Sequence, residues 1–243
     1  MHVSEVLTIL CNFHFSGYRD FKRYFDNEIS IKLATAFPNL VSYSRFIELE
    51  GESIDYLTEY LDDNIKEQEL NGNFYIDTTI IFVCNVKRIF NHKVFKDAAR
   101  TRIRNEWFYG FKLHFVINDK GEIIRYLITP ANKHDISVLE ELTAGLKGKI
   151  AGDKAYFSNP IKEKLKNNGL RLITYDKKNF KSNNLSEEDK IFLKGRNIIE
   201  TIFGILKYPM NLQHTRHRSP INFKCNIFSC LIAYSFSKYP SIA

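Results

Sequence analysis

The chain has 243 residues, 44% of them hydrophobic and 14% aromatic, with a formal net charge of +7 and a pI near 9.1. That composition excludes a disordered or low-complexity protein, and no apolar run approaches the ~18–20 residues of a membrane-spanning helix. The charge is unevenly spread: residues 1–70 hold 6 Lys/Arg against 13 Asp/Glu, while residues 71–243 hold 29 against 15. A polyanionic partner is therefore sought after residue 70, where the balance is +14. Cys11, Cys84, Cys225 and Cys230 each sit among apolar residues, without C-x-x-C pairing or zinc-ligand spacing. They read as buried free thiols. With no secretory signal at the start of the sequence, the expected location is the cytoplasm.

In chain order, VSEVLTILCNFHF (3–15) has helical apolar spacing, with Ser4 expected as its N-cap and Glu5 in the first turn. A second helix is predicted over 19–36, ended by Phe37-Pro38-Asn39, and a third from Tyr43 to Leu70. Asn71-Gly72-Asn73 is a turn signal, after which the pattern changes. Phe74–Ile76 and Ile80–Val83 read as strand on either side of Asp77. Phe111–Ile117 and Glu122–Thr129 read as two strands joined by Asn118-Asp119-Lys120-Gly121. Then follow a helix (136–146), a short strand (149–151) ending at Gly152-Asp153, a helix (160–168) and a strand (170–174). A long helix capped by Ser186 runs to Lys207, and a last helix covers 220–237. This order predicts an α/β domain over 71–243, a mixed sheet with flanking helices, preceded by a small all-α region over 1–70.

Within this frame three acids stand out. Asp77 interrupts FYIDTTIIFV, where an uncompensated buried carboxylate is costly. Asp153 follows the end of a short strand, where sites of open α/β sheets are built. Glu200 lies in RNIIETIFGILK, whose helical geometry brings Arg196, Glu200 and Lys207 to one edge of an apolar arc. Three carboxylates suit divalent-metal phosphoryl transfer, because Mg²⁺ takes hard oxygen ligands and a pair of ions ~3.5–4 Å apart stabilises attacking and leaving oxygens. Taken singly, each acid also has an ordinary reading: an i,i+4 ion pair for Glu200, a turn residue for Asp153, a local cap for Asp77.

FYIDTT, WFYGFKLHFVINDKGEI, ITPANKHD, KIAGDKAYFS and RNIIETIFGILK, followed by HTRHRSPINF and LIAYSF, together resemble the DDE transposases of bacterial insertion sequences, in order and at matching spacing from about residue 5 to 236. The resemblance implies an RNase H-like fold and makes Asp77, Asp153 and Glu200 the catalytic, metal-binding triad. It implies two Mg²⁺ or Mn²⁺ ions, with Arg196 and Lys207 on DNA phosphates. It further implies that double-stranded DNA, as element ends and as target, is the partner, that cleavage exposes a 3′-hydroxyl for strand transfer, and that the protein works as a homodimer with no membrane partner. Leu193 stands where such transposases usually carry Tyr, and the chain begins just before Ser4-Glu5, where they often carry a basic segment. A short copy is expected on that ground.

Further DNA contacts are expected from the basic segment between the strands, which carries Lys87, Arg88, Lys93, Lys96, Arg100, Arg102 and Arg104 against Asp97 alone. Trp107, Phe108 and Tyr109 follow and read as core rather than as base-stacking groups. Lys154 adjoins Asp153. His214, Arg216, His217 and Arg218 form a second cationic group before Pro220, and Lys177, Lys178 and Lys181 a third. His114 alternates with strand residues and reads as structural. The rival readings are an RNase H-like nuclease that cuts without joining strands, and a DNA-binding copy that has lost catalysis.

Overall fold

The structure, a computed structural model, describes residues 1–66, 68–103, 105–175, 185–213 and 217–237. It divides into two compact units, each discontinuous in sequence. Among the described residues, one comprises 1–64, 92–96 and 204–237, and the other 65–91 and 97–203.

The first unit is helical. Its elements are α1 (Val3–Phe13), α2 (Phe21–Tyr24, widening into a π-type helix over Phe25–Lys32), α3 (Tyr43–Glu52) and α4 (Ile54–Lys66, all but its last two residues). The cap of α1 is His2 rather than Ser4: Glu5 reaches back to accept the His2 N–H at 2.6 Å, satisfying a donor the helix leaves open. Ser53 divides α3 from α4 where one helix was expected. Phe13, Tyr24, Phe25 and Phe46 are all at most 3% exposed; Phe13 tilts against Tyr24 at 5.4 Å and Phe25 against Phe46 at 5.0 Å between ring centroids. The C-terminal helix packs with α1 and α3. It runs from Pro220 to Phe236, is capped by Ser219 through the Asn222 N–H, and is buried almost without interruption from Phe223 to Tyr234. A helix apolar all round needs neighbours on every side.

The second unit is a six-stranded mixed sheet. Its strands are β1 (Asn71–Phe82), β2 (Ala99–Ile103), β3 (Glu106–Asn118), β4 (Ile123–Pro130), β5 (Lys147–Gly152) and β6 (Leu170–Ile173). They lie in the order β2-β3-β1-β5-β6, with β4 also paired to β3. β3 runs antiparallel to β1, β2 and β4, whereas β5 runs parallel to β1 and to β6. Three helices of this unit are α5 (Leu139–Leu142), α6 (Asn159–Asn167) and α7 (Glu187–Gly195). Next, α8 (Asn197–Lys207) belongs to it as far as Phe203, and the C-terminal helix already described is α9.

The period-2 alternation of strands assigns the two faces. Phe74, Ile76, Val116, Ile150 and Leu172 share a core with Leu139 and Leu142 of α5 and Leu165 of α6. On the other face Tyr75 meets Phe192 of α7 at 5.2 Å, and Phe115 stacks on Phe203 of α8 at 5.5 Å. The long helix expected from Ser186 to Lys207 is two: α7 ends on Arg196 as its C-cap, and α8 restarts at once. The basic segment contains a strand, β2, that its charge concealed. Among the described residues, no helix is long and apolar enough to cross a membrane.

Candidate functional site

β1 is one continuous strand through Asp77, so the acid does not end it. Ile76 pairs with Gly152 in the parallel β1–β5 ladder. Asp77 follows Ile76 within β1, and Asp153 follows Gly152 just beyond the end of β5, so the two acids come directly after one register pair. Gly152 is required by close approach: a Cβ there would lie 3.0 Å from Ile76 Cγ2 and 3.0 Å from Tyr156 Cδ2. Asp153 keeps extended backbone (φ −66°, ψ 164°) and caps the 3₁₀ turn Lys154–Tyr156, its Oδ1 accepting the Lys154 N–H at 2.6 Å.

Asp77 lies on the face covered by α7 and α8. Its Oδ1 accepts the Thr78 N–H at 2.8 Å, and its Oδ2 accepts from Arg196 Nη1 at 2.6 Å. The same guanidinium donates through Nη2 to Glu200 Oε1 at 3.0 Å. One cation thus joins two of the three acids, and folding brings Glu200 to the same face as Asp77. Burial pushes the Asp77 carboxyl up to about 6. The Thr78 N–H and Arg196 oppose the rise, the like charges of Asp153 and Glu200 add to it, and burial prevails. Arg196 was expected on a DNA phosphate; in this structure its partners are carboxylates.

Beneath Asp77, on the opposite face, lies a buried polar chain that the sequence did not reveal. Thr78 Oγ1 is 2.8 Å from His114 Nδ1 and 2.9 Å from Tyr156 Oη, and His114 Nε2 is 2.8 Å from Thr129 Oγ1. Thr129 donates to the Pro130 carbonyl at 3.3 Å. Its proton is therefore committed, so His114 Nε2 donates to Thr129, Nδ1 accepts from Thr78, and Thr78 accepts from Tyr156. Every proton in the chain has an acceptor only while His114 is neutral. Burial lowers its pKa to about 4, in keeping with that assignment. His114 is structural, as expected.

The cations fall in several places. Lys154 directly follows Asp153. Lys207 ends α8, and burial lowers its ammonium below the ordinary lysine range. Lys87 and Arg88 are exposed on the 3₁₀ turn Val86–Asn91, and Lys93 is exposed in the helical unit. Arg100 and Arg102 are exposed on β2. His217 and Arg218 line a cavity of about 510 Å³ in the helical unit, together with Glu50, Arg19 and Lys22. Arg104, His214, Arg216 and the Lys177, Lys178 and Lys181 cluster lie outside the described residues. Trp107 departs from its expected place in the core, being 43% exposed, whereas Phe108 stacks on Phe82 at 4.8 Å.

Residues 67–220 match the family described as Transposase DDE domain, more than half of the chain. The chain belongs to the DDE transposases. Among solved structures, a piggyBac transposase synaptic complex with hairpin DNA aligns at a TM-score of 0.53 and 11% identity. The alignment covers 96% of this chain but only 65% of that one. At this identity the likeness is one of fold: the sheet and its flanking helices are those of a transposase. The Mos1 mariner paired-end complex with Mn aligns at TM-score 0.29 and 9% identity, over 98% of this chain and 80% of that one. The Mos1 mariner catalytic domain aligns at 0.27 and 9%, over 80% and 93%.

Asp77, Asp153 and Glu200 offer oxygen donors only, a chemistry that would suit a hard divalent ion. The guanidinium shared by Asp77 and Glu200 stands where positive charge is called for. Among the described residues, no group of three or more His, Cys, Asp or Glu is placed to hold a metal. Asp77 and Glu200 each accept instead from Arg196.

Proposed function

We propose that the protein is a DNA transposase that cleaves phosphodiester bonds at the ends of a mobile element, such as a bacterial insertion sequence, and joins the exposed 3′-hydroxyl to target DNA. The observation that carries this reading is the meeting of Asp77 with Arg196, 119 residues away, and of Arg196 with Glu200, on the strand whose parallel neighbour ends just before Asp153. Asp77, Asp153 and Glu200 would hold the divalent ions, Mg²⁺ or Mn²⁺, which when bound polarise the phosphate and lower the pKa of an attacking water. The chain's own contribution is to keep the acids oriented. The Thr78 N–H fixes Asp77, the Lys154 N–H fixes Asp153, and Arg196 holds Asp77 and Glu200 together until a metal competes for them.

The exposed cations Lys154, Lys87, Arg88, Lys93, Arg218 and the β2 arginines would position the DNA, with the half-buried Arg196, Lys207 and His217 as further contacts. Contacts to phosphate of this kind place a duplex without reading its sequence. A homodimer would bring two ends together. The test is strand cleavage by the full chain with Mg²⁺ or Mn²⁺, followed by strand transfer from a pre-cut 3′ end. Asp153→Ala is expected to abolish both while leaving DNA affinity nearly unchanged. Normal cleavage by that variant would refute the triad, and cleavage without strand transfer by the native protein would identify a nuclease.

A further inference from the structure

The β2–β3 hairpin presents a side-chain ladder. Along ARTRI the exposed residues Arg100 and Arg102 share one face, and Thr101 faces the other way. Arg102 pairs with Trp107 and Arg100 with Tyr109. The Arg100 guanidinium carbon lies 3.8 Å from the Trp107 ring centroid and that of Arg102 5.7 Å. On the opposite face Thr101 pairs with Phe108, which stacks on Phe82 of β1 at 15°. The hairpin is thereby pinned to the sheet through Phe108, and Trp107 points away from the core. β2 also ends the strand order of the sheet.

Two chemical consequences follow. A guanidinium stacked over an indole is held by its face, and its N–H groups remain in plane, radiating outward, where a tetrahedral oxyanion takes them as a fork. The indole face, covered by Arg100, is no longer a platform for an unpaired base. Among the described residues, neither arginine meets a carboxylate, and Arg102 reaches only Asn105 Oδ1, at 3.4 Å. Two like charges held against one ring call for an anionic partner with repeated charges.

We propose that Arg100, Trp107 and Arg102 form a clamp for the phosphate backbone of duplex DNA. In it Trp107 is a positioning residue that holds both guanidiniums edge-outward and does not itself stack on a base. This rests on the DNA-binding reading above and adds to it a role for an uncharged residue. The test is equilibrium binding of a 30-base-pair duplex, and of one of its strands, by the full chain across a series of salt concentrations. Arg100→Ala and Arg102→Ala are each expected to reduce the slope of log K against log salt by about 0.9. Trp107→Leu changes no charge, yet is expected to reduce that slope by about one to two contacts and to weaken duplex binding by roughly tenfold. Trp107→Phe, which keeps a ring, should retain most of the slope, and Trp107→Leu combined with Arg100→Ala should fall well short of additivity. An unchanged salt slope in Trp107→Leu, or a loss confined to the single strand, would overturn the clamp. Failure of the native protein to bind duplex at all would instead overturn the DNA-binding reading on which it rests.

Discussion

Replacing Thr78 by Val removes one hydroxyl at nearly constant shape, from the point where β1 carries both the site and its support. That hydroxyl accepts from Tyr156 and donates to His114, at 2.9 and 2.8 Å, and those partners are 1% and 0% exposed. The hydroxyl of Tyr156 and the Nδ1 of His114 are left unpaired, each at a cost of ~1–3 kcal/mol before neighbours relax. The expected destabilisation of the sheet unit is about 2–4 kcal/mol, or a fall of roughly 1–2 M in the urea midpoint. Trp107 is the single tryptophan of the chain and lies in β3, so its fluorescence follows this unit directly. Thr78→Ser restores the hydroxyl and should recover all but about 1 kcal/mol. Because the contact to Asp77 comes from the backbone N–H of residue 78, the folded Val variant should still bind divalent ions. A loss under about 0.5 kcal/mol in Thr78→Val would refute the hydrogen-bonded chain and the neutral tautomer assigned to His114.

Three other residues give further expected outcomes. Burial pushes the Glu50 carboxyl from an ordinary 4.5 to about 7, the hydrogen bond from Asn222 acting against it. The folded state therefore holds this proton more tightly than the unfolded chain, and stability falls as pH rises from 4.5 to 7, by up to about 3 kcal/mol. Glu50→Gln should melt higher than the native protein at pH 8 and alike at pH 4.5; melting curves displaced equally at both would contradict this. His114 runs the other way: its midpoint, lowered from 6.5 to about 4, stabilises the fold above pH 6.5 and withdraws that support as pH falls towards 4. Arg196→Ala should raise Mn²⁺ affinity about tenfold, an exchange of about 1.4 kcal/mol, and lower the metal-free melting temperature, both read by calorimetry. Weaker Mn²⁺ binding would show that Arg196 does not compete with the metal.

Much of the fold could be read from local chemistry. The Asn118–Gly121 turn, the Ser186 cap and the strand ending at Gly152-Asp153 all lie where short-range signals put them. β2 was missed because ARTRI alternates charged with small or apolar residues at an edge, and charge was read as loop. Its period of two was the available signal. The break at Arg196 was hidden because RNIIETIFGILK carries helical apolar spacing; in the structure Arg196, the C-cap of α7, pairs with Asp77. The three acids were legible as costly or well-placed carboxylates, but which of them share the Arg196 side depends on strand register and helix placement, which periodicity does not encode. Trp107 was read as core because large aromatics are usually buried; its exposure follows from register, which puts it opposite Arg102 on the outer face.

The most direct test of the metal-binding claim is a titration of the full chain with Mn²⁺ followed by electron paramagnetic resonance. The native protein should take up Mn²⁺ at the site of Asp77, Asp153 and Glu200, and Asp77→Ala and Asp153→Ala should each lose that uptake while remaining folded. Equal Mn²⁺ binding by the native protein and both variants would contradict the claim that these carboxylates hold the ions.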